Sequence, residues 1–122
     1  PWASMNEIRF GLLGLGTVGS GVIKLLNSHR SELEERSGCR LLLHAVADTD
    51  LDRPREGIHL ASLPLTPDAA RVLDDPAVQI VIELVGGLEP ARSFILRALQ
   101  NGKHVVVYPR ERATAPARYP AR

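Results

Sequence analysis

Residues 8–22, IRFGLLGLGTVGSGV, pack an apolar run, a glycine cluster and the start of a helical repeat into fifteen positions. Ile8 to Leu13 reads as a strand. Gly14-Leu15-Gly16-Thr17-Val18-Gly19 is a G-x-G-x-x-G. Val18, Val22, Leu25, Leu26 and Leu33 then recur at helical spacing. Strand, tight glycine turn and helix, in that order, distinguish a dinucleotide fingerprint from a chance glycine cluster. Each glycine has a physical task. Gly14 permits the sharp turn out of the strand, and Gly16 has no side chain to keep a pyrophosphate off the backbone. Gly19 lets the helix approach the strand closely. The helix start offers free N–H groups and the positive end of its dipole to phosphates. The competing reading is a structural glycine-rich turn with no ligand.

Length and composition bound the rest. A chain of 122 residues suggests one domain, and 44 % hydrophobic residues suit a globular one. A net charge of +1 argues against nucleic acid or a membrane surface as main partner. Residues 108–122 hold four Arg and one Glu, so residues 1–107 carry a net −2. Cys39 is the one cysteine, which excludes an internal disulfide and suits a reducing cytoplasm. No apolar run of about 18 residues exists to span a membrane, and residues 1–6 do not read as a signal peptide. Met5 reads as a natural start.

Helix one is expected from about Thr17 to about Arg36, closed near Gly38, with its charged late part facing solvent. Strand two, Arg40 to Ala47, is almost wholly apolar, as a strand covered on both faces should be. Residues 49–62 read as a loop with at most a helical turn. Leu63 to Leu65 reads as a short third strand. Thr66 is expected to cap a short helix opened by Pro67. Strand four is Val78 to Leu84, followed by a Gly86-Gly87 turn. Pro90 opens a helix with Ala91, Phe94, Ile95, Ala98 and Leu99 on one face, and Gly102 closes it. Strand five is Lys103 to Val107. The alternation predicts an α/β fold, a Rossmann-like doubly wound parallel sheet of order 3-2-1-4-5. Its ligand crevice should lie at the carboxyl ends, between Gly14–Gly19 and Val85–Gly87. The domain is expected over 1–107. Residues 108–122, rich in Arg, Ala and Pro, read as a disordered tail.

Asp48, at the end of strand two, is placed to accept hydrogen bonds from the adenosine ribose, or is an ordinary strand-end carboxylate. It lies 29 residues after Gly19, against about 20 in the simplest fingerprint. A carboxylate there disfavours a 2′-phosphate, since two like charges at ~4 Å cost on the order of 1–4 kcal/mol. Arg53 and Arg55 offset that, unless they are solvated loop charges. Glu83 reads as a buried, hydrogen-bonded acid without catalytic assignment. The four histidines share no metal-ligand spacing, and His44 and His104 read as satisfied strand residues. Neither a P-loop nor a G-x-S-x-G elbow is present.

Together GLLGLGTVGSGV, AVADTD, VIELVGG, LEPAR and NGKHVV resemble, in order and spacing, the N-terminal nucleotide-binding domain of homoserine dehydrogenases, over about residues 7–107. That resemblance implies NAD or NADP as cofactor and interconversion of aspartate semialdehyde and homoserine, on the route to threonine and methionine. It places Gly14, Gly16, Thr17, Val18 and Gly19 at the pyrophosphate, Asp48 by the ribose, and Val85, Gly86 and Gly87 near the nicotinamide. It also implies a homo-oligomeric, cytoplasmic parent enzyme. In the family the GKHVV strand runs into Thr-Ala-Asn-Lys, whose lysine reaches the active site. Here Val107-Tyr108-Pro109-Arg110 stands in that place. The substrate and dimerisation domain is also missing, so no catalytic residue is assigned and a substrate is expected only with that domain. Thr49 stands where the family often has a basic residue, which leaves NAD and NADP both open. The alternatives are the cofactor domain of another NAD(P)-dependent dehydrogenase, a non-catalytic nucleotide-binding module, or the product of a shifted reading frame.

Overall fold

The apolar runs become the strands of one sheet. The computed structural model describes residues 6–108. The strands are β1 (Asn6–Leu13), β2 (Cys39–Ala47), β3 (Leu65–Thr66), β4 (Ile80–Glu83) and β5 (His104–Val107). The helices are α1 (Thr17–Ser37), α2 (Ala70–Leu73) and α3 (Ala91–Gln100), with a 3₁₀ turn at Leu60–Ser62. The sheet order is β3-β2-β1-β4-β5 and every pairing is parallel, as expected.

Period-two alternation along β1 divides the core into two layers. Phe10 and Leu12 face α1 and join Ile23, Leu15, Val46 and Leu84. Leu13 faces the other way, with Ala45, Ala47, Val72, Leu73, Val81 and Ala98 under α2 and α3. Gly11 lies on that second face, where an added Cβ would stand 2.6 Å from a Val72 methyl. α2 therefore sits directly on the β1 backbone.

Several boundaries differ from the sequence expectation for physical reasons. α1 is not one straight helix, because His29 leaves helical geometry at φ −123° and ψ 17°. Just before it, the Ser28 hydroxyl donates back to the Lys24 carbonyl at 2.9 Å, a bond that bends helices. The charged late part of α1 is not wholly solvated. Glu34 is buried and accepts from the Leu41 N–H at 2.8 Å, while Arg30 donates to the Leu41 carbonyl. Among the described residues β3 pairs only with Val46 and Ala47, so these side chains satisfy β2 groups at Leu41 that β3 does not reach. Gly38 closes α1 in the left-handed region, as predicted.

Thr66 does not cap α2. It is the last residue of β3, its carbonyl accepting from the Asp48 N–H at 3.1 Å. The Thr66 hydroxyl accepts from the Asp68 N–H at 3.1 Å and Asp68 from the Ala70 N–H at 2.9 Å, so the two side chains hold a turn ahead of the helix, which begins at Ala70 rather than Pro67 without a side-chain cap. Leu99 is 55 % exposed. It follows Ala98, the last buried residue of the α3 stripe, by a 100° step around the helix. β2 is not buried along its whole length: only Ala45, Val46 and Ala47 are, since α2 is too short to cover the rest. At the proposed tail, the Tyr108 N–H still donates to the Glu83 carbonyl at 3.4 Å, continuing the β5 ladder. The rest of that tail, and Met5, lie outside the described residues.

Candidate cofactor site

The β1–α1 turn is held from both sides. Gly14 has φ +108°, and a Cβ there would stand 3.2 Å from the Leu84 carbonyl carbon. A Cβ on Gly19 would lie 2.4 Å from the Gly14 oxygen. These two glycines thus perform the turn and the close approach expected of them. Gly16, which caps α1, would project a Cβ into open space. Its accessible face is the one a fingerprint needs.

The turns after β1 and β4 share one rim of the sheet, beside the end of β2. Between them lies a cleft of about 280 Å³. Gly14, Gly16, Asp48 and Val85 line it, as do Thr49 and the apolar Pro67, Ala69, Pro90 and Phe94. Thr17 and Val18 open α1 above it; Thr17 is exposed and Val18 packs inward on the α1-side core. Gly19 lies behind the turn. Gly86 and Gly87, at φ +78° and +71°, carry the chain past the cleft without lining it. Glu83 is 1 % exposed and accepts from the Val85 and Gly86 N–H groups at 2.7 and 3.1 Å. It is the hydrogen-bonded acid that the sequence suggested, and it fixes the second turn.

At the end of β2, Asp48 has partners within the chain. One carboxylate oxygen accepts from the Leu15 N–H at 2.6 Å and the other from the Asp50 N–H at 2.8 Å. The Arg55 guanidinium stands 3.6 Å from it. Arg55 is not a solvated loop charge: its side chain is 5 % exposed. It donates to the carbonyls of Leu15 (2.9 Å), Arg53 (2.7 Å) and Asp50 (2.6 Å). No local pattern announces the contact with the Leu15 carbonyl, which lies 40 residues away. Arg53 stays exposed, 3.9 Å from Asp50. The Arg53 and Asp52 N–H groups hold the Asp50 carboxyl below its usual range.

On the opposite rim the polar contacts tie elements together. His44 meets Asp75 at 2.8 Å, and Lys103 donates to the carbonyls of Asp75 (2.5 Å) and Val78 (2.7 Å). His104 is exposed. Among the described residues no group of three or more His, Cys, Asp or Glu is placed to hold a metal. Nor is any described helix long and apolar enough to cross a membrane.

The family profile described as "Homoserine dehydrogenase, NAD binding domain" matches residues 14–119. The chain belongs to that family. It is 44 % identical over 102 residues to the homoserine dehydrogenase of Bacillus subtilis (strain 168), covering 84 % of this chain and 23 % of the relative. Its likeness to the enzyme of Methylobacillus glycogenes is 41 % over 102 residues, covering 84 % and 24 %. Among solved structures, a homoserine dehydrogenase from Thiobacillus denitrificans aligns with TM-score 0.78 and 40 % identity, over 93 % of this chain and 26 % of that one. The S. aureus homoserine dehydrogenase at pH 7.0 aligns with TM-score 0.80 and 31 % identity, over 88 % and 27 %. This homoserine dehydrogenase-type domain therefore spans about a quarter of the length of the relatives it matches. It is the NAD-binding domain of an oxidoreductase of this family.

Proposed function

We propose that this domain holds NAD or NADP for the interconversion of homoserine and aspartate semialdehyde, the reaction that leads toward threonine and methionine, in a cytoplasmic enzyme. The observation that carries the reading is the shared rim: the Gly14 turn packs against Leu84 and Val85, and the cleft opens beside both. The cofactor supplies a hydride acceptor and donor. The pyrophosphate rests on the backbone of Gly14, Gly16, Thr17, Val18 and Gly19, where the α1 dipole favours an anion. Asp48 lies beside the adenosine ribose with lone pairs left to accept from it, and Val85, Gly86 and Gly87 lie toward the nicotinamide. The Arg55 guanidinium beside Asp48 lowers the electrostatic cost of a 2′-phosphate, which supports binding of both cofactors.

The carboxylates at this rim, Asp48 and Glu83, are engaged in holding the two turns, and hydride transfer requires a general base within reach of the alcohol proton. The chemistry is therefore assigned to groups beyond this domain, and a partner protomer of the whole enzyme is part of the same proposal. Calorimetry with NAD and NADP, paired with an assay of homoserine-dependent cofactor reduction, tests both statements. Binding without turnover is expected. Turnover by the purified chain would place the catalytic groups within these 122 residues, and failure to bind either cofactor would remove the reading.

A further inference from the structure

We infer that Arg55 is a positioning residue, which with Asp48 aims the Gly16 amide at the cofactor's pyrophosphate; this rests on the reading that the glycine turn holds that group. Leu15 is the residue between the first two fingerprint glycines, and both its backbone polar groups are taken by this pair. Its N–H donates to Asp48 at 2.6 Å, and its carbonyl accepts from Arg55 Nε at 2.9 Å. A trans peptide is planar, so its C=O and N–H point in opposite directions. Drawing the Leu15 oxygen inward to Arg55 turns the Gly16 N–H outward. Among the described residues nothing accepts that N–H, and the Gly16 Cβ position faces open space.

The grip is built to be rigid. A buried guanidinium must have its donors satisfied, and here three carbonyls and one carboxylate surround it. Two of those carbonyls, Arg53 and Asp50, belong to the loop after β2. Arg55 therefore ties that loop to the glycine turn before any ligand arrives. Preorganised donors bind an anion without the cost of ordering them. Lysine keeps the charge but lacks the planar fork that reaches several carbonyls in fixed directions.

The test uses the full chain labelled with ¹⁵N and titrated separately with ADP and with adenosine. In the unaltered chain ADP should move the Gly16 amide resonance. In Arg55→Lys the affinity for ADP should fall about tenfold and the Gly16 displacement should shrink, while adenosine affinity stays within about twofold. An unmoved Gly16 resonance in the unaltered chain would refute the pyrophosphate reading, and the inference with it. Equal ADP affinity and equal Gly16 displacement in both proteins would refute the role of Arg55 alone. An equal loss for ADP and adenosine would reduce Arg55 to a general structural part and overturn the inference. A measurement without substitution guards against a variant that fails to fold: the Arg55 Nε–H resonance. It should exchange slowly with solvent both before and after ADP is added, and rapid exchange in the free protein would overturn the inference.

Discussion

At the residue scale, close approaches decide what each position tolerates. Gly19 carries the sharpest case, because the atom 2.4 Å from its missing Cβ is a backbone oxygen that no side-chain rotation can remove. Gly19→Ala must push α1 away from the turn. It is expected to destabilise the chain by about 1–3 kcal/mol, the usual cost of overpacking, and to weaken NAD binding. Thermal unfolding and calorimetry measure the two effects, and an unchanged midpoint would show that the turn can yield. Gly16→Ala differs, since its Cβ meets nothing within 4 Å. The demands on these glycines were legible from the motif and its flanking periodicity. The demand on Gly11 was not, because it comes from Val72, which is remote in sequence.

Elements are joined by polar contacts that hydrophobic periodicity does not report. The β1–β2 register skips His44: Phe10 pairs with Leu43 and Gly11 with Ala45. The extra residue carries its imidazole to Asp75, in the loop before β4. The Asp75 carboxyl is held below its usual range by the Ala77 N–H first and by His44 second. A carboxyl whose folded pKa is depressed adds stability above its unfolded value of 3.8, and loses it as pH falls through the folded value. Asp74, depressed chiefly by its hydrogen bond with Arg97, acts in the same direction. The unfolding midpoint is thus expected to fall as pH drops below about 4, and Asp75→Asn should flatten that acid limb. Thermal melts over an acid pH series check this. An unchanged slope in the variant would show that Asp75 does not contribute to the acid limb.

For the whole molecule, the unequal edges of the sheet matter most. β3 covers two residues of β2, and Arg30 and Glu34 of α1 satisfy the Leu41 carbonyl and N–H. Among the described residues β5 pairs only with β4, and Val106 and Val107 are 52 % and 48 % exposed. Leu96 and Leu99 of α3 are 50 % and 55 % exposed. An apolar edge strand is a template for pairing with another chain. Sedimentation of the isolated chain is therefore expected to show concentration-dependent association, and Val106→Lys should reduce it. Equal association in the variant would place the contact elsewhere.

The family was legible from the resemblance of GLLGLGTVGSGV, VIELVGG and LEPAR to its members; the apolar runs, the glycine turns and their alternation carried the strand order and the rim on which the cleft opens. Those signals are local: a period of two or of 3.6, and a turn residue at its end, are set by neighbours along the chain. Tertiary structure alone decided the kink at His29, the edge contacts of Arg30 and Glu34, the skipped His44, and the burial of Arg55. Each of the last three depends on a polar group finding a partner remote in sequence. The same Arg-Pro-Arg in an open loop would be solvated. It is buried here because the folded β1–α1 turn presents the Leu15 carbonyl to it.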